Sequence, residues 1–390
     1  MDELAPGFTT HSQKRYRAVT TMVGRCRYDA GDFPAAAKIL GPVASAFDEN
    51  DIYARDASYY YGRSVYRDGQ FQEAARALGE FADRYGMDSR RDDARYFQGR
   101  AFEQMGELED ALRVFGLVIA DAQALPARLA GAHFHTAEVL RAKAALDPIQ
   151  EDQLLGEAYD LYLLVLEAYP ASTYADDSAY RIGRMLFDRA HASTSPADSF
   201  ALYSESADAM EAFLEQFPDS ILRAGGLYFL GRDRYELTEY DAAQAPLDEA
   251  AGYEKSTWLD NALYYAGMTR YRLGATLGSQ SYLAGIARFD ELLDQCSASE
   301  YRDNAAYFRA RCLMKIPSWH DAEAALEAFL AEFPGSTYED NARYQLIVVR
   351  IALGDCSGAL TALSELQEMQ PPSTYVPKGQ ALYQSKCGGA

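Results

Sequence analysis

Hydrophobic and polar positions recur along this chain with a helical period, and the whole pattern recurs again at a longer one. From Arg302 to Tyr338 the sequence RDNAAYFRARCLMKIPSWHDAEAALEAFLAEFPGSTY reads as two amphipathic helices and a turn. Ala305, Tyr307, Phe308, Ala310 and Leu313 fall at helical spacing in the first helix. Ala322, Leu326 and Phe329 share one face of the second. Asp303 and Asn304 stand where the free N–H groups of a helix start need acceptors. Pro317 ends the first helix because it has no N–H to donate, and Trp319 anchors the turn. Phe333-Pro334-Gly335-Ser336 closes the second helix, and Ser336 with Glu339 has the spacing of a capping box for the next one.

A small residue in the middle of each first helix marks the register: Gly24, Gly62, Gly99, Ala137, Gly183, Gly231, Gly267 and Ala310, with Ile347 in the last full unit. Most steps between markers are about 36–38 residues, the length of a helix-hairpin repeat. Three steps are longer, which predicts loop insertions near Ala144–Leu155, Ala190–Phe200 and Ala275–Leu283. Two alanine columns keep the same register. One holds Ala36, Ala74, Ala111, Ala243, Ala322 and Ala359, and the other Ala57, Ala94, Ala132, Ala262, Ala305 and Ala342. Small residues let two helices approach closely, so these columns predict tight stacking. Phe33, Phe71, Leu108, Tyr240 and Trp319 recur as turn anchors.

These columns resemble the tetratricopeptide repeat (TPR), which pairs a Gly or Ala in its first helix with an Ala in its second and often ends the second at a proline, here Pro170, Pro218 and Pro334. Most units exceed the roughly 34 residues of that repeat, and the excess falls in phrases such as YPASTYADDSA and FPGSTYEDNA. Those phrases resemble TPR-like proteins of the bacterial envelope, of the outer-membrane assembly lipoprotein and Tol–Pal-associated types. The resemblance implies an all-α, right-handed α-solenoid superhelix of about nine TPR-like helix-turn-helix repeats. It divides the chain into a flexible leader (1–11), a repeat array (12–375) and a partial repeat or capping helix (376–390). Stacking is required of such units, because one helix pair buries too little surface to stand alone.

The net charge is −21, from 37 Lys and Arg against 58 Asp and Glu. An acidic surface repels phosphate backbones and argues against nucleic-acid binding. No stretch has the length and apolarity of a membrane span, and MDELAPGFTT lacks the basic start and apolar core of a signal peptide. The expected compartment is periplasmic or envelope if a leader has been removed, and otherwise cytoplasmic. Five cysteines, Cys26, Cys296, Cys312, Cys356 and Cys387, are scattered. They read mostly as small buried hydrophobes, with Cys296 and Cys312 as a pair that spacing alone does not settle. His133 and His135 are two apart on a helix and point in different directions, no Cys/His set has ligand spacing, and no glycine-rich phosphate loop is present. Carboxylate pairs such as Asp92-Asp93 and Asp176-Asp177 lie at helix starts, where capping explains them. Gly379 to Cys387 resembles the opening of a c-type cytochrome domain, but Ala390 stands where haem attachment needs its second cysteine. The chain reads as non-enzymatic, with no cofactor and no metal.

One constellation recurs with the repeat. Three residues before the marker stands an aromatic: Tyr59, Tyr96, Tyr180, Tyr228, Tyr264, Tyr307 and Tyr344. One residue after it stands an arginine: Arg63, Arg100, Arg184, Arg232 and Arg311. Six before it stands an acid or its amide, as in Asp56, Asp93, Asn304 and Asn341. These positions share one helix face. The resemblance implies that this face lines a concave groove that binds a protein or peptide partner through tyrosine and arginine. Such a chain is a protein–protein interaction scaffold, and the second resemblance implies a part in envelope assembly. The same columns also fit an internal use, with each arginine paired to an aspartate and the tyrosines packed between helices. Two further readings remain at this stage: an architectural or regulatory arm of a larger protein whose active domain lies outside the chain, and a glycan-binding groove. Exposed end repeats allow self-association.

Overall fold

The computed structural model describes residues 10–45 and 51–388, and the expected leader lies almost wholly outside them. The described residues form nineteen helices and no strand. The chain divides into two compact units, Met1–Ile182 and Gly183–Ala390. The first holds α1 (Thr10–Asp29), α2 (Phe33–Ala44), α3 (Ile52–Arg67), α4 (Phe71–Arg84), α5 (Arg91–Met105), α6 (Leu108–Ile119), α7 (Pro126–Ala144) and α8 (Glu151–Ala168). The division falls within α9 (Ala175–Ala192). The second unit continues with α10 (Pro196–Gln216), α11 (Arg223–Glu236), α12 (Tyr240–Ala251), α13 (Leu259–Leu277) and α14 (Ser279–Gln295). It ends with α15 (Arg302–Lys315), α16 (Trp319–Glu332), α17 (Glu339–Ala352), α18 (Cys356–Glu368) and α19 (Val376–Cys387). Odd and even helices pair into nine hairpins, with α19 standing after the ninth.

Within each unit a helix packs on the next in sequence, and successive first helices also touch: α1 on α3, α3 on α5 and α5 on α7, then α11 on α13, α13 on α15 and α17 on α19. The small columns make this possible. Every alanine of both columns is fully buried. At the marker, a β-carbon added to Gly62 would sit 2.8 Å from the Leu78 side chain, and one on Gly267 would sit 2.5 Å from Phe289. A larger residue there would push the two helices of a hairpin apart. The turn anchors Phe33, Phe71, Leu108, Tyr240 and Trp319 each open a second helix. Pro170, Pro218 and Pro334 each follow the end of one by two residues.

Four expectations are corrected. The long units gain mostly helix rather than loop, the exception being residues 145–150 between α7 and α8. Their extra residues lengthen helices, so that α10 reaches 21 residues and α13 19, with Gly278 alone between α13 and α14. Ser336 and Glu339 do not form a capping box. The residue at the cap is Tyr338, whose N–H donates to Ser336 Oγ at 3.2 Å, while Glu339 reaches back to the Gly335 N–H at 2.8 Å. Cys296 and Cys312 are both free, and the bond that forms joins Cys356 to Cys387. Cys26 is exposed rather than buried.

Candidate functional site

The first helices carry the tyrosine and arginine columns, and helical spacing puts each arginine one turn beyond its tyrosine. Arg63 donates to the Tyr59 hydroxyl at 2.8 Å, Arg100 to Tyr96 at 3.2 Å and Arg311 to Tyr307 at 2.9 Å. The tyrosine rings are core residues: Tyr96 is 1% exposed and Tyr307 2%, and Tyr59, Tyr180, Tyr228 and Tyr264 are also buried. Tyr344 is half-buried. Burial pushes the hydroxyls of Tyr59, Tyr96, Tyr228 and Tyr264 above the ordinary tyrosine range, so they stay neutral and act as hydrogen-bonding groups.

In the first unit these groups are tied into acids. Asp93 accepts from Arg63 at 2.6 Å and from the Tyr59 hydroxyl, and Arg128 closes on its other oxygen. Arg90 holds Asp56 and Asp88 at 2.9 Å each, and Arg55 reaches Asp88 at 3.2 Å. Arg100 pairs with Glu103 at 3.0 Å, and Glu103 meets the buried His135 ring at 3.1 Å. His135 lies among Tyr96, Phe115, Phe134 and Tyr174, and burial lowers its pKa, which keeps the ring neutral.

In the second unit Arg184 pairs with Asp188 at 2.9 Å, and its guanidinium lies 4.5 Å from the Phe229 ring centre. Arg232 pairs with Glu236 and lies 3.9 Å over Tyr265. Arg311 is half-buried and, among the described residues, makes no ion pair. The amide column is only partly engaged: Asn261 donates to the Tyr301 hydroxyl at 3.2 Å, and Asn304 and Asn341 are half-buried.

A further column emerges that sequence reasoning did not isolate. Nine residues before most markers, at or just inside the start of the next first helix, a flat side chain lies on the aromatic column of the hairpin before it. In the second unit the plate is aromatic except at α11, where Leu222 holds the position. Trp258 stacks on Tyr228 at 5.1 Å, Tyr301 on Tyr264 at 4.6 Å, Tyr338 on Tyr307 at 4.5 Å and Tyr375 on Tyr344 at 5.2 Å, each within 25° of parallel. In the first unit Tyr174 stacks on Phe134 at 5.1 Å, but Arg90 lies 4.9 Å over Tyr59 and Arg128 5.2 Å over Tyr96. The signal was present in the repeated Ser-x-aromatic phrase. The serine oxygen accepts the aromatic residue's N–H at 3.1–3.3 Å at Tyr174, Trp258, Tyr301, Tyr338 and Tyr375, which fixes the ring's direction.

Asp233 was also missed. Two residues after the marker every other described first helix beyond α1 buries a small or apolar residue: Ser64, Ala101, Val139, Met185, Thr269, Cys312 and Val349. Asp233 occupies that position in α11 and is fully buried, with Ser206 donating to it at 2.7 Å. Burial pushes its carboxyl up to about 8. Among the described residues no group of three or more His, Cys, Asp or Glu is placed to hold a metal ion, and no helix is long and apolar enough to cross a membrane.

No family model matches the sequence. No curated protein matches it. Solved structures do match the fold. The chain is similar to the C-terminal part of a TPR repeat-containing protein from Cytophaga hutchinsonii, with a TM-score of 0.52 and 12% identity over 72% of this chain and 98% of that one. It is also similar to the apo form of RapI, with a TM-score of 0.51 and 13% identity over 95% of this chain and 98% of that one. The fold is therefore the all-α solenoid of tetratricopeptide-repeat proteins.

Proposed function

We propose that the chain is a non-catalytic scaffold that receives protein or peptide segments along the tyrosine- and arginine-bearing face of its first helices. The observation that carries this reading is the recurrent bond from arginine to the tyrosine hydroxyl one turn before it, at Arg63, Arg100 and Arg311. It holds a guanidinium at a set position without ordering cost on binding. The positions do not contribute alike. Arg63 is buried and tied to Asp93, so its role is to hold the face together. Arg100, Arg184 and Arg311 are half-buried, and Arg311, with no ion pair among the described residues, offers donors to a partner's carbonyl or carboxylate oxygens. The −21 net charge supports protein rather than nucleic acid as the partner. The Cys356–Cys387 disulfide supports an oxidising compartment, as the envelope reading requires.

Display of random peptides against the immobilised chain tests the reading. Peptides retained by the wild-type chain are expected to lose at least tenfold in affinity on Arg311→Gln combined with Arg184→Gln, with the melting temperature nearly unchanged. Failure to enrich any peptide, or equal binding to the variant, sinks it.

A further inference from the structure

Among the described residues, the hairpin of α17 and α18 is joined to the helix after it in a way no other hairpin is. In the other first helices of the second unit several residues are buried: α15 buries Ala305, Tyr307, Ala310, Cys312 and Leu313, and α17 buries Ala342, Leu346, Ile347 and Val349. Helix α19 occupies the place of a tenth first helix and buries only Gly379 and Cys387. Among the described residues no side-chain hydrogen bond or ion pair joins it to α17 or α18. Its contact is a short apolar seam, to which Val376 and Tyr383 add partly buried side chains. A β-carbon on Gly379 would meet Ile347 and Leu363 at 3.1 Å, so the backbone of α19 lies directly on those two side chains. Beneath it Ile347 and Leu366 are fully buried.

What fastens this lightly held helix is covalent. Cys356 opens α18 at the position where other hairpins place Phe33, Phe71, Leu108, Tyr240 or Trp319. In those hairpins an anchor ring packs locally, as Phe71 does on Tyr66 and Tyr240 on Tyr235. Here the anchor is a sulfur bonded to Cys387, the last residue of α19, across 5.6 Å between α-carbons. Cys356 is half-exposed, so the bond lies at a face that solvent reaches.

We propose that Cys356–Cys387 is a redox latch on α19, closed when the pair is oxidised and released by a dithiol reductant. A thiolate of the dithiol attacks one sulfur of the pair and forms a mixed disulfide, and the other cysteine leaves as a thiolate. The reductant's second thiol then attacks the mixed disulfide and frees the remaining cysteine. Two electrons pass to the protein, the two protons of the dithiol end on Cys356 and Cys387, and the reductant ends as a disulfide. Without the bond, α19 is held by that seam and by the contacts at its start, where Tyr375 stacks on Tyr344 and Ser373 donates to Asp340 at 3.0 Å. Its release uncovers Ile347, Leu363 and Leu366 on α17 and α18.

Hydrogen exchange on the full chain, with and without dithiothreitol, tests the latch. Amides of α19 are expected to lose protection by at least about tenfold on reduction, while those of α13 to α16 stay as they were. An apolar dye should bind the reduced chain more strongly, and Cys387→Ser should show both changes without reductant. Three results would each overturn the proposal. One is α19 equally protected after reduction. Another is α17 and α18 unfolding together with it, which would make the bond part of the ninth hairpin rather than a latch on α19. The last is five free thiols in the chain purified without reductant.

Discussion

The two units solve one problem with different chemistry. In both, a flat group at the start of one hairpin covers the tyrosine column of the hairpin before it. In the first unit Arg90 and Arg128 do this over Tyr59 and Tyr96, and in the second Trp258, Tyr301, Tyr338 and Tyr375 do. A guanidinium and an aromatic ring are both planar and both stack on a ring face, but only the guanidinium brings a charge that must be matched. The neighbouring column follows accordingly. Where the plate is arginine the residue six before the marker is an acid, Asp56 under Arg90 and Asp93 under Arg128. Where it is Tyr301, Tyr338 or Tyr375 the residue is an amide, and Asn261 donates to the Tyr301 hydroxyl. Under Tyr174 and Trp258 it is glycine, Gly131 and Gly225, so an acid accompanies each arginine plate and none stands under an aromatic one.

The sharpest way to break this comparison is to remove the column from each unit. Asp93→Ala leaves Arg63 buried without its carboxylate, along with the Tyr59 hydroxyl and Arg128. Stranding a buried charge in this way costs about 3–5 kcal/mol. Asn304→Ala removes a half-buried amide with no charge to strand and should cost less than about 1 kcal/mol. Urea unfolding of the two variants measures both, and equal losses would show that the units do not differ as their contacts imply.

The fold was legible because its signals are local and repeated. Gly62, Gly99 and the alanine columns announce close helix approach wherever they stand, and one misread position does not disturb the register. The plates were not legible as plates. Arg90 and Tyr338 share no residue type, and their common role depends on contact with a residue about thirty positions earlier in the chain. The family resemblance makes the tyrosine column the lining of a groove while the same columns also fit packing between helices, and the structure buries most of those rings. Helix periodicity tells which residues share a face, but in a stack the same face meets the next helix before it meets solvent. The disulfide escaped for a similar reason, since Cys356 sits in the turn-anchor column and its partner lies beyond the last full repeat.

Asp233 gives the second unit a pH dependence. Its carboxyl is raised from an ordinary 3.8 to about 8, so the folded chain keeps a proton there that the unfolded chain has released. Between those values the folded state binds more protons, so the contribution of this carboxyl to stability is fullest below pH 4 and falls as the pH rises toward 8. The loss is on the order of a few kcal/mol. Asp233→Asn keeps the shape and removes the titration. The difference in urea midpoint between pH 5 and pH 8 should shrink in this variant, and an unchanged difference would mean the carboxyl is ionised in the fold.

Exchanging one plate for the other tests whether the two columns are coupled. Tyr338→Arg removes the stack on Tyr307 and places a cation where the column beneath holds the amide Asn304 instead of an acid, and should cost about 2 kcal/mol. Adding Asn304→Asp supplies the acid in the position that Asp56 holds under Arg90. The pair should recover about 0.5–1 kcal/mol beyond the sum of the single changes, and simple additivity would sever the plate from its neighbour.

The smallest expected effect distinguishes the units without any mutation. The Arg90 pairs with Asp56 and Asp88 are partly exposed, with about a quarter of the Arg90 side chain open to solvent. Ions at 1 M shorten the screening length to about 3 Å, close to the separation of the paired atoms, so these pairs weaken. Stacks such as Tyr338 on Tyr307 carry no net charge, and salt leaves them unchanged or slightly stronger, because apolar burial is favoured when solutes are excluded from the surface. Raising sodium chloride from 0.05 M to 1 M should therefore lower amide protection in α3 and α5 relative to α13 and α15, by less than about 1 kcal/mol. Hydrogen exchange resolves the helices separately, so each reports against the other in one sample. A loss that is equal in both units, or larger in the second, would mean that the arginine plates hold by their flat faces alone, and that their charges are matched only to keep burial from being costly.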